Sequence, residues 1–222
     1  MDRAAGIDVS QNDGVIDWKA VARAGYSFAF IRASYAGKSE GKPHIDRAFV
    51  TNWRQARDQG LLVSAYHYFV VQQDSTEQVE FFLNTFGARK PDFALTLDFG
   101  YILGARPKTQ VNQFVSRAVQ LIETQTGRKP MIYTGDWWWQ PNMIRSTQWA
   151  DYDLWAANYN NPTGPLLPPD WKSWKFWQWS DEGRVPGIAT QVDLNWFSGS
   201  AADLKQYADV QSLVESRIPP PL

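Results

Sequence analysis

No cysteine occurs anywhere in this 222-residue chain, and histidine occurs only twice. The first absence excludes disulfide staples and thiol catalysis, and the second leaves too few ligands for a zinc site. No apolar run approaches the roughly 18 residues that suggest a membrane-crossing helix. The opening residues, Met1-Asp2-Arg3-Ala4-Ala5, lack the apolar core of a secretory leader. Charge of one sign is not in excess: the formal net charge is -1, with acids and bases interspersed. There is no basic stripe of the kind that grips nucleic acid, and no loop carries the regular acidic spacing of a calcium site. The expectation is a chain with no metal, no cofactor, no nucleic-acid partner and no membrane partner. What is present is enough sequence to bury a substantial core, and one compositional excess, twelve tryptophans. Indoles in that number suit a packed core or a cleft in which the C–H faces of sugars stack on rings.

The chain has a clear rhythm. Short apolar, β-prone runs at Gly6–Ser10, Ser27–Ala33, Leu61–Phe69, Phe93–Asp98 and Pro130–Thr134 alternate with helical patterns. Those patterns cover Trp18–Ala24, Asp46–Gln59, Thr76–Phe86 and Thr109–Thr126, with Asp17 and Ser75 as expected caps and Gly25 and Gly60 as stops. The run Gly135-Asp136-Trp137-Trp138-Trp139 opens a loop or short helix, either as a subsite wall or as packing. Beyond it the rhythm changes. Asp153–Ala157, Lys175–Trp179 and Gln191–Asn195 read as strands joined by Pro- and Gly-rich loops, and Ala201–Ser216 as a last helix. Five strand–helix units followed by three strands predict an α/β fold, an irregular single-domain β/α barrel of the TIM-barrel-like kind. The barrel domain is expected over residues 1–216, with a Pro-rich tail or linker stub at 217–222.

A parallel barrel gathers its chemistry at the C-terminal ends of its strands. Those ends carry Asp8, Tyr66 and His67, Asp98, Tyr133, Trp155, Gln178 and Asp193. Three carboxylates with several aromatic rings form a set suited to carbohydrate: the acids serve an oxocarbenium-like transition state, and the rings hold the sugar. Each aspartate taken alone is equally readable as a strand-end hydrogen-bonding residue. His67 reads as a hydrogen-bonded strand residue rather than a base, and Gln178 as a partner for an acetamido group or a structural amide.

These residues are similar to those of the glycoside hydrolase family 25 lysozymes, the N-acetylmuramidases that cleave peptidoglycan. The resemblance is carried by Gly6-Ile7-Asp8-Val9-Ser10, Ile16-Asp17-Trp18, Asp46-Arg47-Ala48-Phe49 with Asn52, Ala65-Tyr66-His67-Tyr68-Phe69 and Leu97-Asp98. Further along it includes Leu154-Trp155-Ala156-Ala157, Trp177-Gln178, Val185-Pro186-Gly187-Ile188 and Val192-Asp193-Leu194-Asn195. It implies an irregular eight-stranded β/α barrel in which Asp8, Asp98 and Asp193 are catalytic carboxyls. Tyr66, Tyr133 and Trp155 would line the sugar subsite. The implied partner is the peptidoglycan glycan strand, met by a monomer secreted or released to the cell wall in the manner of a phage endolysin.

Two departures stand out. Tyr35 falls where many family members carry glutamate in a Thr-Glu-Gly run, and Gly100 replaces the glutamate thought to be the proton donor. Residues two apart on a strand face the same side, so the missing side chain would have shared the pocket with Asp98. A positioned acid is worth roughly 10²–10⁴-fold in rate, which leaves three readings. One is a hydrolase in which Asp8, Asp13, Asp136 or Glu182, or a water relay, donates the proton. Another is a non-catalytic glycan-binding or phage and secretion structural protein. The third is a muramidase in which glycine was introduced to silence turnover.

Overall fold

Side-chain alternation along the strands sets the architecture of this protein. The structure, a computed structural model, describes residues 3–37, 41–159 and 161–215. The strands are β1 (Ala5–Val9), β2 (Tyr26–Ala36), β3 (Pro43–Ile45), β4 (Leu62–Tyr68), β5 (Thr96–Asp98), β6 (Met131–Thr134), β7 (Leu154–Ala157), β8 (Phe176–Gly183) and β9 (Val192–Phe197). The helices are α1 (Trp18–Arg23), α2 (Phe49–Asp58), α3 (Ser75–Phe86), α4 (Lys108–Thr126), α5 (Asp136–Asn142) and α6 (Ala201–Glu215). The sheet runs β1-β9-β8-β7-β6-β5-β4-β2-β3, and β1 also pairs with β2, closing eight strands into a barrel with β3 outside the ring. The expected α/β barrel is therefore present.

Four local expectations are corrected. The last strand is not parallel: β9 runs antiparallel to both β8 and β1. Asp193 reaches the same mouth as the other carboxyls because it lies near the start of a reversed strand, not at the end of a parallel one. The second strand, expected to end at Ala33, instead continues as β2 to Ala36, held by the short antiparallel β3, which pairs Ser34 with Ile45 and Tyr35 with His44. The helix expected from Asp46 begins at Phe49, because the Asp46 carboxylate accepts hydrogen bonds from Arg32 Nε, Gln11 N and Ala48 N. At α3 the cap is Asp74, accepting from Glu77 N, and Ser75 is the first helical residue. The Pro-rich tail expected at 217–222 lies outside the described residues.

Two apolar layers result. Side chains on the inner face of the barrel, among them Phe28, Phe30, Met131, Phe176 and Phe197, form a ring-filled interior with Phe93. The opposite faces send Ile7, Val9, Ile31, Val63, Leu97 and Ile132 into the layer shared with Trp18, Phe49, Trp53, Phe82, Val111 and Ile122 of the helices. Gly6 faces inward beside the Phe28 ring, where an added Cβ would lie 2.3 Å from it. The N-terminal end of the barrel is plugged by α6, which contributes Leu204 and Ala208 to the interior and stacks Tyr207 on Phe93. The aromatic interior therefore forms a floor, and what stands above it can be polar.

Candidate active site

The layer above the floor is made by the next inward-facing residue of each strand. Two positions beyond Gly6 on β1 is Asp8, beyond Phe30 on β2 is Arg32, beyond Met131 on β6 is Tyr133, and beyond Phe176 on β8 is Gln178. With Tyr66, Tyr68, Asp98, Trp155 and Asp193 they line a cavity of about 270 Å³, joined by Ser10, Asn12 and Asp13 from the turn after β1. All seven side chains expected to form the site, Asp8, Tyr66, Asp98, Tyr133, Trp155, Gln178 and Asp193, are brought together here. Gly100 adjoins them: β5 ends at Asp98, yet a Cβ on Gly100 would lie 3.0 Å from Asp98 Oδ1 and 3.4 Å from Tyr133 Cε1.

Asp8 is the best-held group. Its Oδ1 accepts from Gln178 Nε2 at 2.9 Å and Asn195 Nδ2 at 2.7 Å. Each amide is oriented in turn by aromatic donors. The hydroxyls of Tyr133 and Tyr159 both donate to Gln178 Oε1 at 2.6 Å, and Trp155 Nε1 donates to Asn195 Oδ1 at 2.7 Å. Gln178 is thus occupied as an orienting amide rather than free to meet a ligand. Trp155 is fixed by the same network and stacks on Phe30 with ring centroids 4.0 Å apart, so it presents little free surface.

Burial governs the acids. It raises the Asp8 carboxyl to about 6, against the lowering effect of its amide donors and of Asp193. Asp193 is the register partner of Asp8 across β1 and β9. Burial and the adjoining Asp8 charge push its carboxyl up to about 10, so it stays protonated and donates to Asp8. The two carboxyls hold one proton between them. Asp98 is also pushed well above the usual carboxylate range, first by burial and then by Asp8, with Arg32 and the Gly100 amide opposing. Its Oδ1 is nevertheless buried with no hydrogen-bond partner.

The other expectations separate. His67 points away from the cavity, fully buried, with Nδ1 2.7 Å from Ser34 Oγ; burial lowers it to about 3, so it is a neutral structural residue. Asp13 lines the cavity, but its Oδ2 accepts from Ser10 N at 2.7 Å as part of a turn. Asp136 and Glu182 are not among the residues that line the cavity. Trp138 and Trp139 are buried packing residues, whereas Trp137 is 60% exposed. Tyr35 lies outside the cavity, stacked between His44 and the Arg32 guanidinium.

Arg32, Tyr68, Asn195 and Tyr159 were not singled out from the sequence. Tyr68 and Asn195 sit two residues from a recognised inward position, so strand parity would have found them; β2 carried no recognised position to point to Arg32, and Tyr159 follows β7 in irregular structure and offers no such signal. A larger cavity, about 560 Å³, opens at the opposite end of the barrel around Tyr152, Trp171 and Trp174. Its Asp170 is taken up by Trp139 Nε1 and Ser146 N. The converging carboxyls are at the other mouth.

Comparison with known proteins agrees with this geometry. The chain is 35% identical over 211 residues to the uncharacterized protein YegX of Escherichia coli K12, covering 92% of this chain and 73% of that protein. It is 32% identical over 217 residues to Lysozyme M1 of Streptomyces globisporus, covering 92% and 71%. The crystal structure of the bacterial lysozyme from Streptomyces coelicolor superposes with a TM-score of 0.82 at 29% identity, over 93% of this chain and 97% of that one. A family 25 glycosyl hydrolase from Bacillus anthracis gives 0.78 at 25% identity, over 92% and 93%. The model of Glycosyl hydrolases family 25 matches residues 7–188, and the chain belongs to that family of glycoside hydrolases.

Proposed function

We propose that this protein acts on the β-1,4 bond between N-acetylmuramic acid and N-acetylglucosamine in peptidoglycan, at the cell wall, with its turnover limited by glycine at position 100. The observation that carries the reading is the meeting of Asp8, Asp98 and Asp193 in one aromatic-floored cavity, with Gly100 immediately beside Asp98. In this reading Asp98 orients and stabilises the substrate's acetamido group as it closes on the anomeric carbon, the substrate-assisted route to glycoside cleavage. Asp8, held by Gln178 and Asn195, supplies a fixed negative charge to the developing oxocarbenium, and Asp193 keeps the shared proton. Tyr66, Tyr133 and Trp155 shape the floor on which the muramyl ring rests. The leaving oxygen then lacks a side chain to protonate it.

Restoring that side chain tests the reading. Gly100→Glu is expected to raise reducing-end release from purified peptidoglycan by at least about a hundredfold. The φ of Gly100 is not in the left-handed region, so glutamate is compatible with the backbone once Asp98 gives by a few tenths of an ångström. Equal and substantial activity in both proteins would show that the proton comes from elsewhere. A second reading, a glycan-binding protein without turnover, is favoured by the same glycine. It predicts silence in both proteins with glycan still bound.

A further inference from the structure

Asp98 is about nine-tenths buried, yet its Oδ1 meets no hydrogen-bond partner from the protein. That oxygen faces the space over Gly100. Chain neighbours aside, a Cβ placed there would meet only Asp98 Oδ1 at 3.0 Å and Tyr133 Cε1 at 3.4 Å within 4 Å. Three ångströms is tight for carbon against oxygen but ordinary for a hydrogen bond between two oxygens. The space thus suits an oxygen atom better than a side-chain carbon. A carboxylic acid carries both a donor and an acceptor, so it matches Asp98 whether that group is ionised or protonated.

Charge selects the neutral acid over its anion. Asp8 and Asp13 line the same cavity, and the one cation among its described lining residues, Arg32, is paired with Asp46 at 2.8 Å. A carboxyl entering such surroundings keeps its proton more firmly than in water. Size limits the class further, because the space stands in for one short side chain between Asp98 and the Tyr133 ring edge.

We infer that the space over Gly100 is a binding site for a small monocarboxylic acid, formic or acetic, which supplies the proton that no side chain supplies there. The inference rests on the muramidase reading of the pocket. As the acid's O–H bond breaks, a new O–H bond forms to the glycosidic oxygen. The C1–O bond breaks with its electron pair going to that oxygen, while the acetamido oxygen closes on C1. Water then attacks C1, the bond to the acetamido oxygen breaks with its electron pair returning to the acetamide, and the carboxylate left behind takes the proton of that water; nothing is oxidised or reduced.

The test measures reducing-end release from purified peptidoglycan by the whole chain in sodium formate, acetate and pivalate. Sodium chloride at equal ionic strength is the reference, and Gly100→Glu and Gly100→Ala run in parallel after thermal melts confirm folding. Formate is expected to raise the rate of the glycine protein about tenfold or more, with saturation. Acetate should do less, pivalate nothing, and Gly100→Glu should not respond. If Gly100→Glu is active but no acid accelerates the glycine protein, the acid site is refuted and the muramidase reading stands. A rise that does not saturate, or that is equal with pivalate or in Gly100→Ala, also refutes the site, since it marks acid acting from bulk solution. Silence in Gly100→Glu as well as in every acid overturns the muramidase reading, and the acid site with it.

Discussion

At the scale of single residues, the Asp8–Asp193 pair concentrates the electrostatic cost of the site. Two carboxyls in register across β1 and β9 cannot both ionise cheaply away from water, and the shared proton is the result. The consequence for stability has a definite sign. The folded chain keeps a proton on Asp193 that the unfolded chain loses near the ordinary aspartate value. The native state therefore binds more protons from about pH 4 to about pH 10, and stability falls as pH rises through that window. Asp193→Asn keeps a donor toward Asp8 but cannot ionise. Its melting temperature is expected to change less with pH, and the difference from the parent protein should grow steadily in the variant's favour toward alkaline pH. The slope attributable to one proton is at most about 1.4 kcal/mol per pH unit. Parallel melting curves from pH 5 to pH 9 would dismiss the shared proton. The identities of Asp8, Asp98 and Asp193 were legible because a carboxylate at an apolar strand end is conspicuous. Their pairing was not, because it depends on β9 running backwards.

At the scale of elements, most of the barrel could be read from local pattern, since β-prone runs and helical periodicity alternate with glycine stops. What escaped depended on partners distant in sequence. The three-residue β3 contains proline and forms only because β2 offers it an edge, and the start of α2 is set by where Arg32 draws the Asp46 carboxylate. The twelve tryptophans were ambiguous for the same reason. Trp155 alone lines the cavity, Trp138, Trp139, Trp149 and Trp171 wedge α5 and its following turn against the barrel, and Trp179 stacks on Trp196 across β8 and β9. One residue of β1 was legible as a motif but not as a cause. Gly6 lies two places before Asp8, and the Phe28 ring occupies the position of its absent side chain. Gly6→Ala must push that ring into Phe93 and Phe176, which it contacts edge-on. The expected loss is about 1–3 kcal/mol in a denaturant melt, as for other overpacked cores. Glycan affinity should weaken with it, because Asp8 rides on the same strand. A variant as stable as its parent would show that the interior has slack the packing does not suggest.

At the scale of the whole molecule, the site lies across the seam where the barrel closes. Asp8 comes from β1, Gln178 from β8, and Asn195 and Asp193 from β9, so the acid and its donors approach from the two ends of the chain. Only the closed ring brings them together, and α6 holds the floor beneath them. A ligand that needs this arrangement binds the folded barrel and not the open chain, and it therefore stabilises the entire domain rather than one loop. Position 100 is not part of the seam network, so affinity for glycan should survive the missing acid even where turnover does not. A soluble peptidoglycan fragment at about one hundred times its dissociation constant should add about 2.7 kcal/mol to unfolding stability. In a domain of this size that corresponds to a rise of about 5–11 °C in melting temperature. The rise should appear as a displacement of one cooperative transition, and be reduced when Asn195→Ala frees the Asp8 carboxylate. Calorimetry reads both. A transition that splits in two would mean that the seam opens separately from the rest. No displacement at any concentration would mean that these carboxyls and rings, although assembled, do not hold glycan.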